Sequence, residues 1–324
     1  MPCIEKSSFH PPFFLRNPHL QTLFPQKARK VKGVTYTRHR IDTPDGDFLD
    51  LDWSKRNRSR CAILFHGLEG HTFRPYMLGM VRALNRAGWD AVSVNLRGCS
   101  GEPNLLARAY HQGSSDDVAT AVSHVADSAY TALIIIGFSL GGNIVLKYLG
   151  EPQWKKPDTL KVAVAVSAPC DVPSCAENIQ RKENRRYLRY FLTMLSEKVI
   201  AKHHRFPEQL PVEGLRDISS FTEFDNRYTA PLNGFADARD YWERTSSLPL
   251  LPAITLPTLL LNAVDDPILT PQCFPRAIAG SHPFLTLEAP RYGGHVGFLG
   301  QGAHGNYWHE ERTLEFVQHF GAAS

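Results

Sequence analysis

The chain has 324 residues, 43% of them apolar, and a formal net charge of +4. That length suits one large α/β domain carrying an insertion, and so small a charge makes no electrostatic case for nucleic acid. No apolar run is long enough to span a bilayer and residues 1–6 are not a basic-then-apolar signal. With six scattered cysteines (Cys3, Cys61, Cys99, Cys170, Cys175 and Cys273), a reduced, cytoplasmic protein is expected, not a disulfide or metal framework.

Residues 1–30 are rich in proline and aromatic side chains and are expected to be irregular but packed on the body; His19 there reads as a structural histidine. Residues 34–41 and 48–53 flank an Asp45-Gly46 turn, and Leu49 and Leu51 alternate with Asp50 and Asp52, which predicts an antiparallel hairpin. Residues 61–65 form an unbroken apolar run, as a strand buried on both faces requires, and end in His66-Gly67-Leu68-Glu69-Gly70. Met77, Leu78, Val81 and Leu84 mark a helix closed by Gly88; a strand at 91–96 leads into Arg97-Gly98-Cys99-Ser100-Gly101; Val118, Ala121, Val122 and Val125 mark a second helix. Strands then fall at 133–136 and 162–166, with a helical segment between them that stops at Gly150. Strands alternating with helices imply a mostly parallel central sheet with helices on both faces.

From about 171 to 248 that rhythm stops. Leu188, Phe191, Leu192, Leu195 and Val199 share one helix face, among eight basic residues (Arg181, Lys182, Arg185, Arg186, Arg189, Lys198, Lys202, Arg205) and only Glu183 and Glu197. This span is read as an inserted helical cap, which leaves 31–170 and 249–324 as the core. It reads as a lid whose apolar face packs over the site while its basic face meets water; the alternative is that this face guides acidic substrates or anionic lipid surfaces toward Ser139. Strands at 256–263 and 284–287 resume the sheet, and Leu314, Val317 and Phe320 suggest a closing helix.

The chemistry-bearing stretch is Gly137-Phe138-Ser139-Leu140-Gly141, placed between an apolar strand and a helix. This is the pattern of a nucleophile elbow, where glycines let strand and helix pass closely and the serine stands at a helix N-terminus with unpaired N–H groups. A serine needs a base, and the base an orienting acid, in the chain order Ser, Asp, His. Asp265-Asp266-Pro267 follows the resumed strand, with Asp266 preferred over Asp265; His295, in Arg291-Tyr292-Gly293-Gly294-His295, follows the last one. The backbone N–H groups of Leu140 and Leu68 are the expected oxyanion donors, and His66 is expected to brace its loop. The scheme needs no metal or organic cofactor.

Several stretches together resemble the α/β-hydrolase superfamily, and more narrowly its YheT-like (AB-hydrolase-4) branch. They are Asn17-Pro18-His19-Leu20-Gln21-Thr22, Phe65-His66-Gly67-Leu68-Glu69-Gly70, the segment 95–104, Gly137-Phe138-Ser139-Leu140-Gly141-Gly142-Asn143, Phe224-Asp225 with Thr229-Ala230-Pro231, Asp265-Asp266-Pro267 and Gly293-Gly294-His295-Val296-Gly297-Phe298. The resemblance implies an α/β-hydrolase fold and a triad of Ser139, an Asp of the 265–266 pair and His295. Tyr110-His111-Gln112-Gly113 departs from the pattern, where a small hydroxyl residue is expected after the histidine, and this weakens any role for His111. Eukaryotic relatives are membrane-associated lipid hydrolases, and this chain is read as lacking their N-terminal anchor. The expected activity is hydrolysis of a small-molecule carboxylic ester through an acyl-enzyme. Thioester hydrolysis on the same triad and a non-catalytic binding protein of this fold are the alternatives; oligomeric state is left open.

Overall fold

The computed structural model describes residues 3–4, 7–300 and 302–321. Its centre is an eight-stranded sheet of order β1-β2-β4-β3-β5-β6-β7-β8. The strands are β1 (Thr37–Asp42), β2 (Phe48–Ser54), β3 (Arg60–Phe65), β4 (Asp90–Asn95), β5 (Ala132–Phe138), β6 (Leu160–Val166), β7 (Thr258–Leu261) and β8 (Leu285–Glu288). The β1–β2 and β2–β4 pairs are antiparallel and all others parallel.

Alternation along each strand builds two cores. In β5, Leu133 and Ile135 enter one core with α3 (Ser115–Ala126) and α4 (Leu140–Gly150). Ile134, Ile136 and Phe138 enter the other with α2 (Pro75–Arg86) and α11 (Trp308–Gly321). Both sets are fully buried, so the strand reads as continuously apolar. Each such side chain contributes about 1.5–3 kcal/mol by leaving water.

The N-terminal segment is not irregular throughout: Pro18–Ala28 is a helix, α1. Asn17 caps it by accepting the Leu20 N–H at 3.0 Å, and Pro18 takes the first helical position, where a missing N–H costs nothing. The fully buried Gln21 holds the helix to the body, donating to Leu15 O and accepting the Leu299 N–H.

Among the described residues no strand lies between β6 and β7. That span holds α5 (Val172–Ile179), α6 (Arg185–His203), α7 (Phe221–Phe224), a π-helical turn at Asp225–Thr229, α8 (Ala230–Leu232) and α9 (Ala238–Thr245). Helix α10 (Arg276–Ser281) precedes β8. Leu188, Leu192 and Val199 of α6 form a separate cluster with Leu210, Phe224 and Tyr228.

His309 of α11 is fully buried against the rings of Phe138 and Phe298, and among the described residues neither ring nitrogen has a hydrogen-bond partner. Burial pushes its pKa down to about 4. Between pH 6.5 and about 4 the unfolded chain therefore binds a proton that the folded chain refuses, and stability falls by up to about 1.4 kcal/mol per pH unit. Replacing His309 with Phe removes that contribution. In urea unfolding at pH 7 and pH 5, the variant is expected to gain on the wild type as pH falls; a gap independent of pH contradicts this account.

Candidate active site

Ser139 sits between the last residue of β5 and the first of α4, with φ +55° and ψ −123°. A non-glycine residue holds such a backbone at a cost of about 1–3 kcal/mol, so its surroundings must enforce it. They do so by contact. A Cβ on Gly137 would lie 2.2 Å from Gly141 O, and one on Gly141 would lie 2.4 Å from Phe65 O. Only glycine lets α4 start against the ends of β3 and β5. Gly137→Ala and Gly141→Ala are each expected to lose about 3 kcal/mol or more of stability, or to fail to fold. Denaturant unfolding checks this, and a variant of unchanged midpoint would show that the turn relaxes.

The structure brings Ser139, Asp266 and His295 together. His295 Nε2 lies 2.8 Å from Ser139 Oγ, and His295 Nδ1 lies 2.8 Å from Asp266 Oδ2. A carboxylate only accepts, so the imidazole carries its proton on Nδ1 and donates it to Asp266, which leaves Nε2 to accept the Ser139 hydroxyl. Asp266 is buried on the loop after β7, and its Oδ1 accepts the Ile268 and Leu269 N–H groups. Asp265 does not reach the imidazole. It accepts the Gly294 N–H at 2.9 Å and so braces the loop that carries His295. Burial, and then the neighbouring Asp266 charge, push the Asp265 carboxyl up to about 6.

Two hydroxyls that sequence reasoning passed over hold the histidine loop. The His295 N–H donates to Thr22 Oγ1 of α1 at 2.9 Å, and the Val296 N–H donates to Ser167 Oγ at 3.0 Å. The Gln21-Thr22 stretch carried part of the family pattern, but a partner 273 positions away in the chain leaves no spacing signal. Gly294 follows suit: with φ +56°, its Cβ would strike Pro18 O at 2.6 Å.

Leu68 and Leu140 line the same cleft as Ser139. His66 braces this loop as expected. Its Nε2 accepts the Leu96 N–H, so Nδ1 carries the proton and donates to Gly67 O at 2.8 Å. Gly67 O also accepts the Gly70 N–H. That carbonyl shares a trans peptide plane with the Leu68 N–H, so anchoring the one sends the other the opposite way. Complete burial holds the His66 pKa down to about 3, so the brace stays neutral. His111 also lines the cleft, with Nδ1 accepting the Gly113 N–H. His19 instead meets the Tyr187 hydroxyl at 2.9 Å, and His282 Nδ1 accepts the Phe284 and Leu285 N–H groups at the entry to β8.

The cleft encloses about 100 Å³ and opens to solvent. Its far wall comes from the helical segment: Val172, Ala176, Ile179, Phe191, Leu195 and Trp242. The α6 stripe therefore divides, with Phe191 and Leu195 facing the cleft while Leu188, Leu192 and Val199 pack within the segment. The basic residues divide too. Lys198 pairs with Glu69 and Lys202 donates to Asn104 Oδ1 and to the Ala107 and Arg108 carbonyls, while Arg205 caps the Leu105 carbonyl. Arg181, Lys182, Arg185, Arg186 and Arg189 are exposed, so the basic face is smaller than the sequence count implies.

A family model described as the alpha/beta hydrolase fold matches residues 63–299. The chain is 35% identical to "Putative esterase YheT" of Escherichia coli (strain K12), over 97% of this chain and 94% of that one. It is 31% identical to human phospholipase ABHD3, over 86% of this chain and 70% of that one. Among solved structures, esterase Pf2001 of Pyrococcus furiosus has a similar fold, with a TM-score of 0.59 at 15% identity over 90% of this chain and 98% of that one. The chain thus belongs to the α/β-hydrolase superfamily, among its esterase- and lipase-type enzymes, and within these to the YheT-like branch.

Proposed function

We propose that this protein cleaves a carboxylic ester through an acyl-enzyme, with Ser139 as nucleophile, His295 as base and Asp266 as its orienting acid. The observation that carries this reading is the unbroken hydrogen-bonded chain from Ser139 Oγ through both ring nitrogens to Asp266 Oδ2. Ser139 attacks the carbonyl carbon while its proton passes to His295 Nε2. The imidazolium is held by Asp266 and then gives that proton to the leaving alcohol. Water repeats the sequence in reverse and releases the acid. The tetrahedral oxyanion is held by the N–H groups of Leu140, at the start of α4, and of Leu68. The loop's other hydrogen bonds run from Gly67, Glu69 and Gly70, leaving the Leu68 N–H without a protein acceptor among the described residues.

The segment 171–248 acts as a cap whose apolar wall takes the acyl or alkyl part of the substrate. The phospholipase and lipase names of relatives favour a lipid-like ester. No metal or organic cofactor enters the scheme.

Ser139→Ala and His295→Ala are each expected to lower kcat on the order of 10³-fold or more, and the double variant no further than the worse single one, because a triad acts as a unit. Asp266→Asn is expected to lose far more turnover than Asp265→Asn. Kinetics on short-chain esters check this, and multiplicative losses or the reverse aspartate ranking would sink the assignment.

The exposed arginines of α6 offer a second, charge-based role: drawing anionic ester substrates toward the cleft. Replacing Arg185, Arg186 and Arg189 with Gln is expected to reduce kcat/KM for an anionic ester only, most strongly at low salt. Equal behaviour of neutral and anionic esters across a salt series leaves this helix as cap alone.

A further inference from the structure

Beside the cleft, one residue is held at its N–H, its carbonyl and its carboxylate; the cap supplies one of these holds directly and supports another. Glu69 follows Leu68, is 3% exposed and has φ +51°. A non-glycine residue keeps that backbone only where its surroundings over-determine it. Its N–H donates to Tyr110 Oη at 2.7 Å, and the Tyr110 hydroxyl donates back to Glu69 Oε1 at 2.6 Å. Lys198 Nζ, from α6, lies 3.0 Å from the same oxygen and 4.8 Å from the Tyr110 ring centre. The Glu69 carbonyl accepts from Arg74 Nη2 at 2.8 Å, and that nitrogen also donates to the hydroxyl of Tyr190, again from α6, at 3.1 Å.

The peptide plane before Leu68 is fixed by His66 and Gly70, and the plane after it, which carries the Glu69 N–H, by Tyr110. Leu68 is thus boxed from both sides, and the second side depends on a carboxylate that needs a cation. Lys198 supplies the cation. Withdrawal of α6 would remove the cation from the buried Glu69 carboxylate, a cost that works against the left-handed turn.

We propose that Glu69, Tyr110 and Lys198 are positioning residues for the oxyanion-holding loop, so that the Leu68 N–H is aimed at the reacting carbonyl only while α6 is docked on the core. The proposal rests on the reading of Ser139 and Leu68 given above. It makes the cap a part of the catalytic geometry as well as a wall of the cleft: substrate exchange with α6 raised and bond breaking with α6 seated become separate states of one enzyme.

The test compares Glu69→Gln, Lys198→Met and Tyr190→Phe with the wild-type protein. Glu69→Gln and Lys198→Met are expected to lower kcat on the order of tenfold or more with KM nearly unchanged, since an oxyanion contact is made in the transition state. Tyr190→Phe, on a half-exposed tyrosine outside the core, is expected to lower kcat by a smaller factor and folds whatever becomes of the buried pair. An alkyl boronic acid, which forms a tetrahedral adduct on the serine, is expected to lose affinity in step with kcat/KM. The carboxylic acid of the same chain length forms no adduct and is expected to keep its affinity. Equal weakening of both ligands, or a lowered Tm with full kcat, makes the network merely structural and overturns the proposal. Ser139→Ala is measured alongside: if it remains active, the reading of the site has failed. If it is inactive while all three variants keep full kcat, only the positioning role has failed.

Discussion

The structure depends on one close approach, that of the start of α4 to the ends of β3 and β5. Gly141 lies where any side chain would meet the Phe65 and His66 carbonyls, and Gly137 lies where any side chain would meet Gly141 itself. With those contacts made, Ser139 has no room to relax from its strained backbone and its hydroxyl stands above the sheet edge. The same contact brings the loop after β3 against the serine: a Cβ on Gly67 would lie 2.9 Å from Ser139 Cβ. The serine proposed as nucleophile and the N–H group proposed to receive the oxyanion are therefore set by one packing event, and a change at either glycine disturbs both.

Around that point, buried polar groups divide the work by their partners. Asp266 and Asp265 are neighbours in the chain with different environments. One faces the imidazole and two backbone N–H groups, the other faces the backbone of the histidine loop. His66 and His295 likewise differ. Both rings use both nitrogens, but His66 uses them on backbone groups inside the core, where burial keeps it neutral, whereas His295 uses one on the Ser139 hydroxyl and the other on the Asp266 carboxylate. Of the two, only the His295 chain ends at a side-chain hydroxyl, that of the serine proposed as nucleophile.

The helical segment between β6 and β7 is attached to this arrangement by hydrogen bonds, several of them buried. Asn143 of α4 donates to the Thr245 carbonyl and accepts the Ser247 N–H, holding the end of α9 to the elbow helix. Within the segment, Trp242 of α9 donates to the buried Asp225 of the π-helical turn, and burial pushes that carboxyl up to about 6. Such ties let a segment with its own apolar cluster form one wall of a cleft whose other wall is the sheet edge.

The sheet was legible in the sequence because its signals are local: apolar runs where both faces are covered, alternation in the β1–β2 hairpin, and glycines at the elbow. Chain order then singled out Ser139 and His295, and the preference for Asp266 over Asp265 rested on position after a strand. The N-terminal helix was missed although Asn17-Pro18 is a helix-start signal, because the prolines and aromatics around it read as irregular. What no local pattern could decide was which side chains meet across long stretches of chain. Thr22 holding the His295 backbone, Lys198 turning inward to Glu69 while Arg185, Arg186 and Arg189 stay in water, and the division of the α6 stripe between the cleft and the segment's own apolar cluster follow from how the helices dock. Residue type and periodicity determine what a helix can bury, while the surface it meets decides what each of its side chains does.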